Sequence, residues 1–566
     1  MRRIVAVVCA LGLTAGLGLA PAGAQAKPGK AKVQHLQVLA INDFHGNLEP
    51  PTGSGGRIPT SPTTTQDVGG AAYLGTWLDR LRQGHRHTLT VGAGDLIGAS
   101  PLISGLFHDE PTIEALNAMG FKYSAVGNHE FDEGIGELLR MQNGGCHPTD
   151  TEGSCQGEDP FTGAAFQYLA ANVRYAGTGK TVLPPYEVYK AGRGMRVGFI
   201  GLTLRGTPDI VTPAGVAGLQ FDDEVQTVNR YADQLKARGV NAVFVLLHEG
   251  GQQNPPYTNG YQDVNGCDHL SGAVVPIVQG LSDAVDVVAS AHTHQAYNCR
   301  IDGKVVTSAA SFGRLITDFD LLIDRRTRDV VGATAENVPV SRSVPKDPAV
   351  QRIIDHYAAL SGPIANRVVG SVTADITRDP SPAGESALGD VIADSQLEAT
   401  AAADFGGSKV AFMNPGGIRV DLLDDGSVTY NDLYSIQPFA NTLVVKTMTG
   451  QQIKDLLEQQ FDNAKPGEDK ILQVSNGFTY SYDRSKPAGS RVDASSIAIA
   501  GVPVAATDSV RVTMNNFLAT GGDGFTVFNQ GTDQLGGPVD IDVFADYFTK
   551  HSPVAPGPRN RITRTG

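Results

Sequence analysis

The sequence has 566 residues, more than one hydrophobic core normally supports, so we expect two structured domains. Hydrophobic residues make up 41% of the chain and charged residues 18%, the proportions of an ordinary globular protein rather than a disordered or membrane-embedded one. Acidic residues outnumber basic ones by 59 to 45, and the formal net charge of −14 disfavours a surface that binds nucleic acid. A small pocket for one phosphate group is compatible with this charge.

The first 26 residues have the pattern of a secretory signal peptide. Arg2 and Arg3 precede an apolar run from Ile4 to about Ala20, and Ala24-Gln25-Ala26 offers a cleavage site of small residues. We expect export and cleavage after Ala26; a membrane anchor is the alternative, which the short run disfavours. Cleavage removes two arginines and changes the formal net charge from −14 to −16. The expected product is a secreted, extracellular protein that does not bind membranes.

Four cysteines remain after the predicted cleavage, and an even number in an exported protein predicts two disulfides. Pairing Cys146 with Cys155, and Cys267 with Cys299, closes short loops. This is the arrangement that we expect, although the sequence leaves the other two connectivities open. A thiol-bound metal or a cysteine nucleophile is the alternative, which the exported setting disfavours.

From His35 to about Val340, short apolar runs alternate with helical stretches, which predicts an α/β domain over residues 35–340. The runs at residues 36–41, 197–201, 243–247 and 285–289 are predicted strands, whereas the Gly, Pro, Ser and Thr-rich residues 51–67 are predicted to form a surface loop. Residues 341–369 contain a predicted helix and are expected to link this domain to a second one, residues 370–548, whose first helix is expected from Ser386 to Ala402.

Five short motifs of the first domain follow predicted strands, where α/β folds usually place their sites. They are Asn42-Asp43-Phe44-His45-Gly46, Gly94-Asp95, Gly127-Asn128-His129-Glu130-Phe131-Asp132, His248-Glu249-Gly250 and His292-Thr293-His294. Imidazole and carboxylate ligands together suit zinc, manganese, iron or cobalt, and one carboxylate can bridge two such ions. Each motif alone is more often a turn or a surface feature, but the five in this order resemble the calcineurin-like metallophosphoesterases.

The longer strings around these motifs resemble the secreted bacterial and animal 5′-nucleotidases, over nearly the whole chain after the signal peptide. The resemblance implies a four-layer β-sandwich flanked by helices, followed by an α+β substrate-binding domain. It also implies two divalent metal ions, zinc, manganese or similar, one held by Asp43, His45, Asp95 and His294, and the other by Asp95, Asn128, His248 and His292.

The same resemblance implies that His129 is catalytic rather than a metal ligand and that Asp132 orients its imidazole. Such a carboxylate raises the basicity of the histidine and fixes its tautomer. The chain has Ala291 where the family usually has glycine before His-x-His, a change that we expect to be tolerated. The histidines at 85, 87, 108 and 147 are predicted to be solvated, and neither Glu130 nor Glu249 is assigned a role.

The second domain contains strings that resemble the substrate-binding segments of the family: Asn414-Pro415-Gly416-Gly417-Ile418-Arg419, Pro438-Phe439 and Asn516 to Phe525. The resemblance implies that Phe439 and Phe517 stack on a base and that Asp523 accepts hydrogen bonds from ribose hydroxyls. Asn414 and Arg419 are expected to contact phosphate or sugar. Pro382 stands where relatives have a further arginine, and Arg378 is expected to substitute for it.

These features predict hydrolysis of nucleoside 5′-phosphates, with the active site between the domains and residues 341–369 acting as a hinge. A 2′,3′-cyclic-nucleotide phosphodiesterase or a nucleotide-sugar hydrolase on the same scaffold is the nearest alternative. A secreted binding protein without catalysis is a further one. Ligand types do not select one native metal, and neither base preference nor oligomeric state follows from the sequence.

Overall fold

The structure is a computed structural model that describes residues 33–211, 215–439, 441–463 and 467–566. The predicted signal peptide lies outside the described residues. Within these ranges, none of the helices is long and apolar enough to span a bilayer.

The first domain is built from alternating strands and helices. Its strands are β1 (Val33–Ile41), β2 (Arg57–Ser61), β3 (Thr64–Asp67), β4 (Thr88–Gly92), β5 (Phe121–Ala125), β6 (Gln167–Leu169), β7 (Val173–Tyr175), β8 (Tyr186–Ala191), β9 (Met195–Thr203), β10 (Leu219–Phe221), β11 (Ala242–His248), β12 (Val287–Ser290), β13 (Ala296–Ile301), β14 (Lys304–Ala309), β15 (Leu315–Asp324) and β16 (Val330–Pro339). Its helices are α1 (Ala71–Arg82), α2 (Leu102–Gly105), α3 (Glu110–Ala118), α4 (Gly134–Asn143), α5 (Thr207–Ile210), α6 (Glu224–Ala237), α7 (Val274–Gly280) and α8 (Pro348–Ala365). The four apolar runs predicted to be strands form β1, β9, β11 and β12.

Two six-stranded sheets make up the centre of this domain, with strand orders β16-β15-β1-β4-β5-β6 and β13-β14-β12-β11-β9-β8. One buried cluster, which includes Val38, Phe199, Phe244 and Phe319, fills the space between them. Separate clusters join the outer face of each sheet to its helices, α1, α3 and α4 on one side and α6 and α7 on the other. The predicted four-layer sandwich flanked by helices is therefore confirmed.

Parallel pairing brings the ends of several strands together. Strands β1, β4 and β5 are parallel neighbours in the first sheet, and β9, β11 and β12 are parallel neighbours in the second. Because the carboxyl ends of parallel strands meet at one edge of a sheet, the segments that follow them converge there. These segments carry the five predicted motifs.

The loop expected at residues 51–67 is only partly irregular. Strands β2 and β3 pair antiparallel within it and form a short hairpin, in which Ile58 lies opposite Gln66. The threonines of this segment favour an extended backbone, which the high content of Gly and Pro obscured in the sequence. The predicted surface loop therefore contains a short hairpin that the sequence analysis did not identify.

Both expected disulfides are present in the structure. Cys146 is bonded to Cys155, and Cys267 is bonded to Cys299, with Cα separations of 5.4 and 5.2 Å. Of the three connectivities, the structure therefore has the one that closes short loops.

The second domain also mixes strands and helices. Its strands are β17 (Val368–Gly370), β18 (Val410–Met413), β19 (Val428–Thr429), β20 (Thr442–Thr449), β21 (Gln473–Val474), β22 (Phe478–Tyr482), β23 (Ala498–Ile499), β24 (Val502–Pro503), β25 (Ser509–Asn515), β26 (Thr532–Val539) and β27 (Ile562–Arg564). Its helices are α9 (Ala387–Thr400), α10 (Tyr430–Ile436), α11 (Gly450–Glu458), α12 (Asn516–Ala519) and α13 (Asp540–His551). A five-stranded sheet, β21-β18-β25-β20-β26, lies at its centre.

The chain passes from one domain to the other after α8. This helix packs on the core of the first domain through Val350, Ile354 and Tyr357, whereas β17 pairs with β19 in the second domain. The second domain continues beyond residue 548, because β27 pairs in parallel with β22. Hinge motion at residues 341–369 stays a prediction.

Replacing Phe244 by alanine tests the packing between the two sheets. Its ring is fully buried and contacts the ring of Phe319 edge to face, with centroids 5.0 Å apart. We expect the first domain to lose about 3–5 kcal/mol of unfolding free energy, because the cavity forfeits both burial and contacts. The single tryptophan of the chain, Trp77 in α1, allows this domain to be followed by fluorescence during urea denaturation.

The matched control is Phe405→Ala, because Phe405 is 61% exposed and belongs to the second domain. It should leave the tryptophan transition unchanged. An equal shift of the urea midpoint in both variants would contradict the predicted role of Phe244.

Candidate active site

The seven predicted metal ligands lie together at the edge where the parallel strands end. Asp43 and His45 follow β1, Asp95 follows β4, Asn128 follows β5, His248 ends β11, and His292 and His294 follow β12. Six of the seven form two groups of three, and within each group the ligand atoms all lie within 4.8 Å of one another. The groups are Asp43, His45 and His294, and Asp95, His248 and His292.

Asp95 lies between the two groups. Its Oδ2 atom is 3.6 Å from Nε2 of His45 and 3.0 Å from Nε2 of His248. Nε2 of His248 is also 3.2 Å from Oδ1 of Asn128, and on the other side Nε2 of His294 is 3.6 Å from Oδ1 of Asp43. This arrangement suits a carboxylate that bridges two cations.

The tautomers of two histidines show why cations fit here. Nδ1 of His45 donates to the carbonyl of Gly98 at 2.8 Å, and Nδ1 of His248 donates to the carbonyl of Ala93 at 2.9 Å. In the neutral rings, each Nε2 therefore presents a lone pair to the centre. Nε2 of His45 lies only 3.1 Å from Nε2 of His294, and a cation between acceptors of this kind relieves their repulsion.

The pKa values of His45, His248 and Asp95 also indicate that positive charge stabilises this site. Burial lowers the pKa of His45 well below its usual value, which favours the neutral ligand form. Burial acts in the same direction on His248, but the neighbouring Asp95 outweighs it and raises the pKa of His248 to about 10. Burial would also raise the pKa of Asp95, but His248 and His129 hold it well below its usual value. Asp95 stabilises the proton on His248, and a divalent ion can replace that proton.

The backbone is strained at most of the predicted metal ligands. Five of the seven residues have positive φ angles, at 49° for Asp43, 48° for His45, 49° for Asp95, 72° for His292 and 56° for His294. A side chain other than glycine in this region costs roughly 1–3 kcal/mol, and such residues cluster at functional sites. The surrounding hydrogen bonds hold the loops in these conformations.

Glu130, which the sequence left unassigned, is one of the groups that hold the loops. Its buried carboxylate accepts hydrogen bonds from the backbone N–H groups of Asp95 at 3.0 Å, Leu96 at 2.8 Å and Gly127 at 2.5 Å. These bonds connect the segments after β4 and β5, which carry Asp95 and Asn128. The signal in the sequence was a glutamate within the motif Gly127 to Asp132, directly after His129.

The side chains of His129 and Asp132, which the sequence analysis predicted to be a catalytic pair, are in contact. Nδ1 of His129 is 2.8 Å from Oδ2 of Asp132, and both residues lie in or directly after a short 3-10 turn, His129–Phe131. Burial would lower the pKa of His129, but Asp132 and Asp95 outweigh it and raise it. The backbone N–H of His129 also donates to Oδ1 of Asp95 at 2.9 Å, which ties the turn to the metal centre.

A cleft of about 280 Å³ lies between the two domains, beside the metal centre. The first domain contributes Asn128, His129, Asp132, Ile210, Val211 and His292. The second contributes Asn414, Gly416, Gly417, Arg419, Phe439, Asn441, Lys470, Asn515, Phe517 and Asp523. One cavity therefore joins candidate metal ligands, the His129 and Asp132 pair and five of the six predicted substrate residues.

Phe439 reaches across to the first domain. Its ring lies nearly parallel to that of His129, with centroids 5.8 Å apart, and the guanidinium of Arg419 lies 5.8 Å from its ring centre. Phe517 also belongs to the second domain, and it lines the cleft beside Gly522. A methyl group on Gly522 would come within 2.5 Å of the Phe517 ring, so the position of that ring requires glycine at 522.

Arg378 is placed differently from the other predicted substrate residues. Among the described residues, it is not one of those that line the cleft. Its guanidinium donates to the carbonyl of Ile418 at 3.3 Å, and the residue lines a second cavity of about 300 Å³ together with His294 and Arg314. Arg378 is thus near the metal centre but on another side of it, and its predicted role in substrate binding stays untested.

His108 corrects another expectation, since it was predicted to be solvated. Its ring lies between Glu133 at 2.7 Å and Asp150 at 3.1 Å, and it stacks on His147 with centroids 4.3 Å apart. These carboxylates raise the pKa of His108 to about 9, although burial opposes them. His108 therefore connects Glu133, directly before α4, with Asp150, which lies in the loop closed by the disulfide between Cys146 and Cys155.

Known proteins share both parts of this arrangement. The family model for calcineurin-like phosphoesterase matches residues 36–296, and the model for the 5′-nucleotidase C-terminal domain matches residues 368–530. Cell wall protein Lmo0130 of Listeria monocytogenes is 31% identical over 576 residues, which cover 96% of this chain and 71% of that protein.

The chain belongs to the 5′-nucleotidase family. Its calcineurin-like domain makes it a metal-dependent phosphoesterase. A 5′-nucleotidase precursor from Thermus thermophilus has the same two-domain fold, with a TM-score of 0.75 and 27% identity, covering 94% of this chain and 100% of that one. Endonuclease YhcR of Bacillus subtilis is 33% identical over 90% of this chain, but the chain spans only 39% of that protein.

Replacing Glu130 by glutamine tests how this 5′-nucleotidase family member holds its metal loops. The amide offers one acceptor oxygen and turns an NH₂ group toward backbone donors, so the loops of Asp95 and Asn128 should loosen. We expect metal affinity to fall by roughly 10- to 100-fold, as is typical when groups that support ligands are changed. Metal content after dialysis against graded chelator, measured by mass spectrometry, reports this change.

Glu336→Gln is the control, because Glu336 lies exposed on β16. Its metal retention should match that of the unaltered chain. Unchanged metal affinity in Glu130→Gln would refute the role given to the buried carboxylate.

Proposed function

We propose that this protein is a secreted 5′-nucleotidase that hydrolyses nucleoside 5′-phosphates to a nucleoside and inorganic phosphate. The observation that carries the proposal is the single cleft in which the His129 and Asp132 pair faces Phe439, Phe517 and Asp523. The metal-side residues suit a phosphate ester, and the residues of the second domain suit a nucleoside attached to it.

The proposed metal site consists of Asp43, His45, Asp95, Asn128, His248, His292 and His294. Two divalent ions bound there would lower the pKa of a water nucleophile and neutralise charge on the phosphoryl group. Ligand chemistry is compatible with zinc, manganese or a similar ion. No serine or cysteine nucleophile is required.

His129 has the geometry of a proton donor to the departing oxygen. Oδ2 of Asp132 accepts a hydrogen bond from Nδ1–H of His129, which leaves Nε2 as the atom that can face the substrate. Burial opposes the imidazolium form of His129, but Asp132 and Asp95 outweigh burial and raise its pKa, which favours that form. A protonated His129 also stabilises negative charge that develops on the phosphoryl oxygens.

The second domain supplies recognition in this proposal. Arg419 approaches the metal centre and suits contact with phosphate oxygens, because guanidinium forms paired hydrogen bonds with them. Phe439 and Phe517 offer ring faces to the base, and stacking of this kind tolerates any base. Asp523 accepts hydrogen bonds from ribose hydroxyls, and Asn414 contacts the sugar or phosphate.

Export is proposed from the signal pattern of residues 1–26 and is supported by the two disulfides, which persist mainly in oxidising surroundings. Rotation of one domain about residues 341–369 is also proposed, because substrate must enter and product must leave a cleft that both domains line. The chemistry of the metal side does not by itself separate monophosphates from cyclic nucleotides or nucleotide sugars.

A substrate panel with His129→Ala tests the proposed function. The purified chain, reloaded with zinc, manganese or cobalt, is offered AMP, ADP, 2′,3′-cyclic AMP, UDP-glucose and single-stranded DNA. We expect AMP to be preferred, and we expect His129→Ala to lower kcat for AMP by about 10²- to 10⁴-fold, the usual contribution of general acid catalysis. Phosphate release from AMP and ADP is measured with a colorimetric assay. Chromatography measures the products of the cyclic, sugar and DNA substrates, because cleavage of their diester or diphosphate bonds releases no inorganic phosphate.

Metal content separates catalysis from metal binding in this experiment, because His129 also has a ligand atom within 4.8 Å of those of His45 and Asp95. The alanine variant should keep the metal content of the unaltered chain. Preference for the cyclic, diphosphate or DNA substrate would overturn the monophosphate assignment. Equally slow release of phosphate by both proteins would overturn the assignment as an enzyme.

Replacing Gly522 by alanine tests the base-stacking role of Phe517. The added methyl group would lie 2.5 Å from the Phe517 ring and should displace it from the cleft wall. Since stacking contributes about 1–3 kcal/mol per base, we expect KM for AMP to rise roughly tenfold. Turnover of p-nitrophenyl phosphate, which has no base, should be unchanged.

Gly536→Ala serves as the control, because a methyl group there meets nothing within 4 Å. Its KM for AMP should equal that of the unaltered chain. If Gly522→Ala keeps the same KM, Phe517 does not bind the base.

A further inference from the structure

Lys470 pairs with the carboxylate that is proposed to bind the ribose. Its Nζ atom is 2.6 Å from Oδ1 of Asp523, and both residues line the cleft. The side chain of Lys470 is 25% exposed and that of Asp523 is 10% exposed, so the ion pair is largely removed from water. The two residues are 53 positions apart in sequence, and no motif contains Lys470.

The other oxygen of Asp523 is also held. Oδ2 accepts a hydrogen bond from Nδ2 of Asn414 at 2.9 Å. The amide of Asn414 is in turn oriented by Asn515, whose Nδ2 donates to its Oδ1 at 3.0 Å. Asp523 itself has a φ of 54° and follows Gly522, so its backbone is fixed in the left-handed region.

These contacts leave part of the acceptor capacity of Asp523 unused. An ionised carboxylate has about four lone-pair directions, and Lys470 and Asn414 each take one. The remaining directions can accept hydrogen bonds from two vicinal hydroxyl groups. The positive charge of Lys470 also offsets the negative charge of Asp523, which would otherwise repel an anionic substrate in the same cleft.

We propose that Lys470 is a positioning residue that holds Asp523 for the 2′- and 3′-hydroxyls of ribose, and so makes the site select ribonucleotides over deoxyribonucleotides. This inference rests on the proposed function. Lys470 acts through Asp523 and does not take part in the reaction at phosphorus. Without the ammonium group of Lys470, the side chain of Asp523 can turn away. Its negative charge is then no longer balanced when an anionic substrate binds.

Selectivity measurements with Lys470→Met test this role. The quantity is kcat/KM for AMP divided by kcat/KM for 2′-deoxy-AMP, and p-nitrophenyl phosphate serves as a substrate without ribose. A hydrogen bond to a charged group is typically stronger than a neutral one, so we expect the ratio to fall by about tenfold or more. Turnover of p-nitrophenyl phosphate should stay constant, and Lys470→Arg should restore most of the ratio.

Lys454→Met is the matched control. Lys454 is 16% exposed and ion-paired with Glu458 at 3.2 Å, but it is not among the residues that line the cleft. It should keep the selectivity of the unaltered chain. Lys470→Gln provides a second neutral variant, should the methionine variant fail to fold as judged by circular dichroism.

Each other result contradicts the inference in its own way. An unchanged ratio in both neutral variants would show that Lys470 does not set selectivity. An equal loss with AMP, 2′-deoxy-AMP and p-nitrophenyl phosphate would show a general structural role instead. Failure of the unaltered chain to hydrolyse AMP, while it cleaves p-nitrophenyl phosphate, would overturn the proposed function and this inference with it.

Discussion

The whole structure depends on a concentration of acceptor atoms where the parallel strands of the two six-stranded sheets end. Carboxylate, amide and imidazole acceptors from five loops point at a shared centre, and five of these seven side chains are buried. Acceptors placed so close together repel each other unless positive charge lies between them. The low pKa of Asp95 and the high pKa of His248 both express this demand. The fold holds the acceptors in place, and cations make the arrangement favourable.

Two features of the first domain keep these acceptors together. Parallel pairing of β4 with β1 and β5 in the first sheet, and of β11 with β12 in the second, brings motifs that are distant in sequence to the same end of each sheet. The loops then turn through left-handed conformations that the buried carboxylate of Glu130 and the amide of Asn42 help to hold. Asn42 donates to Asp43 at 2.6 Å and to the carbonyl of Ala310 at 2.7 Å, which ties the first motif to the end of β14. The site is therefore rigid where its ligands are.

The second domain contributes a different kind of order. Its cleft residues are fixed by a chain of polar contacts from Asn515 through Asn414 to Asp523 and Lys470. Phe439 meets His129 across the domain boundary, so the recognition residues and the reactive residues are in contact although they belong to separate cores. A substrate that touches both domains would stabilise their mutual position.

The sequence by itself determined the architecture and the principal side chains. Apolar runs of strand length, most of which give way to polar or histidine residues, predict the strands of an α/β domain with a site at their ends, because strand periodicity and strand-end loops are local properties. Chain length predicted the two domains, and family resemblance added the four-layer sandwich and the recognition strings. The hairpin within residues 51–67 was missed, because threonine-rich strands flanked by Gly and Pro look like a loop.

Only the tertiary structure decided which groups support the site. Glu130 connects two loops because its carboxylate accepts hydrogen bonds from the backbone of Asp95 and Leu96, which follow β4, and of Gly127, which follows β5. Lys470 reaches Asp523 across 53 residues, and Arg378 lines a cavity other than the cleft. Hydrogen bonds and ion pairs of this kind depend on distances between residues that are remote in sequence. Local pattern fixes which side chains can do chemistry, whereas packing fixes which of them meet.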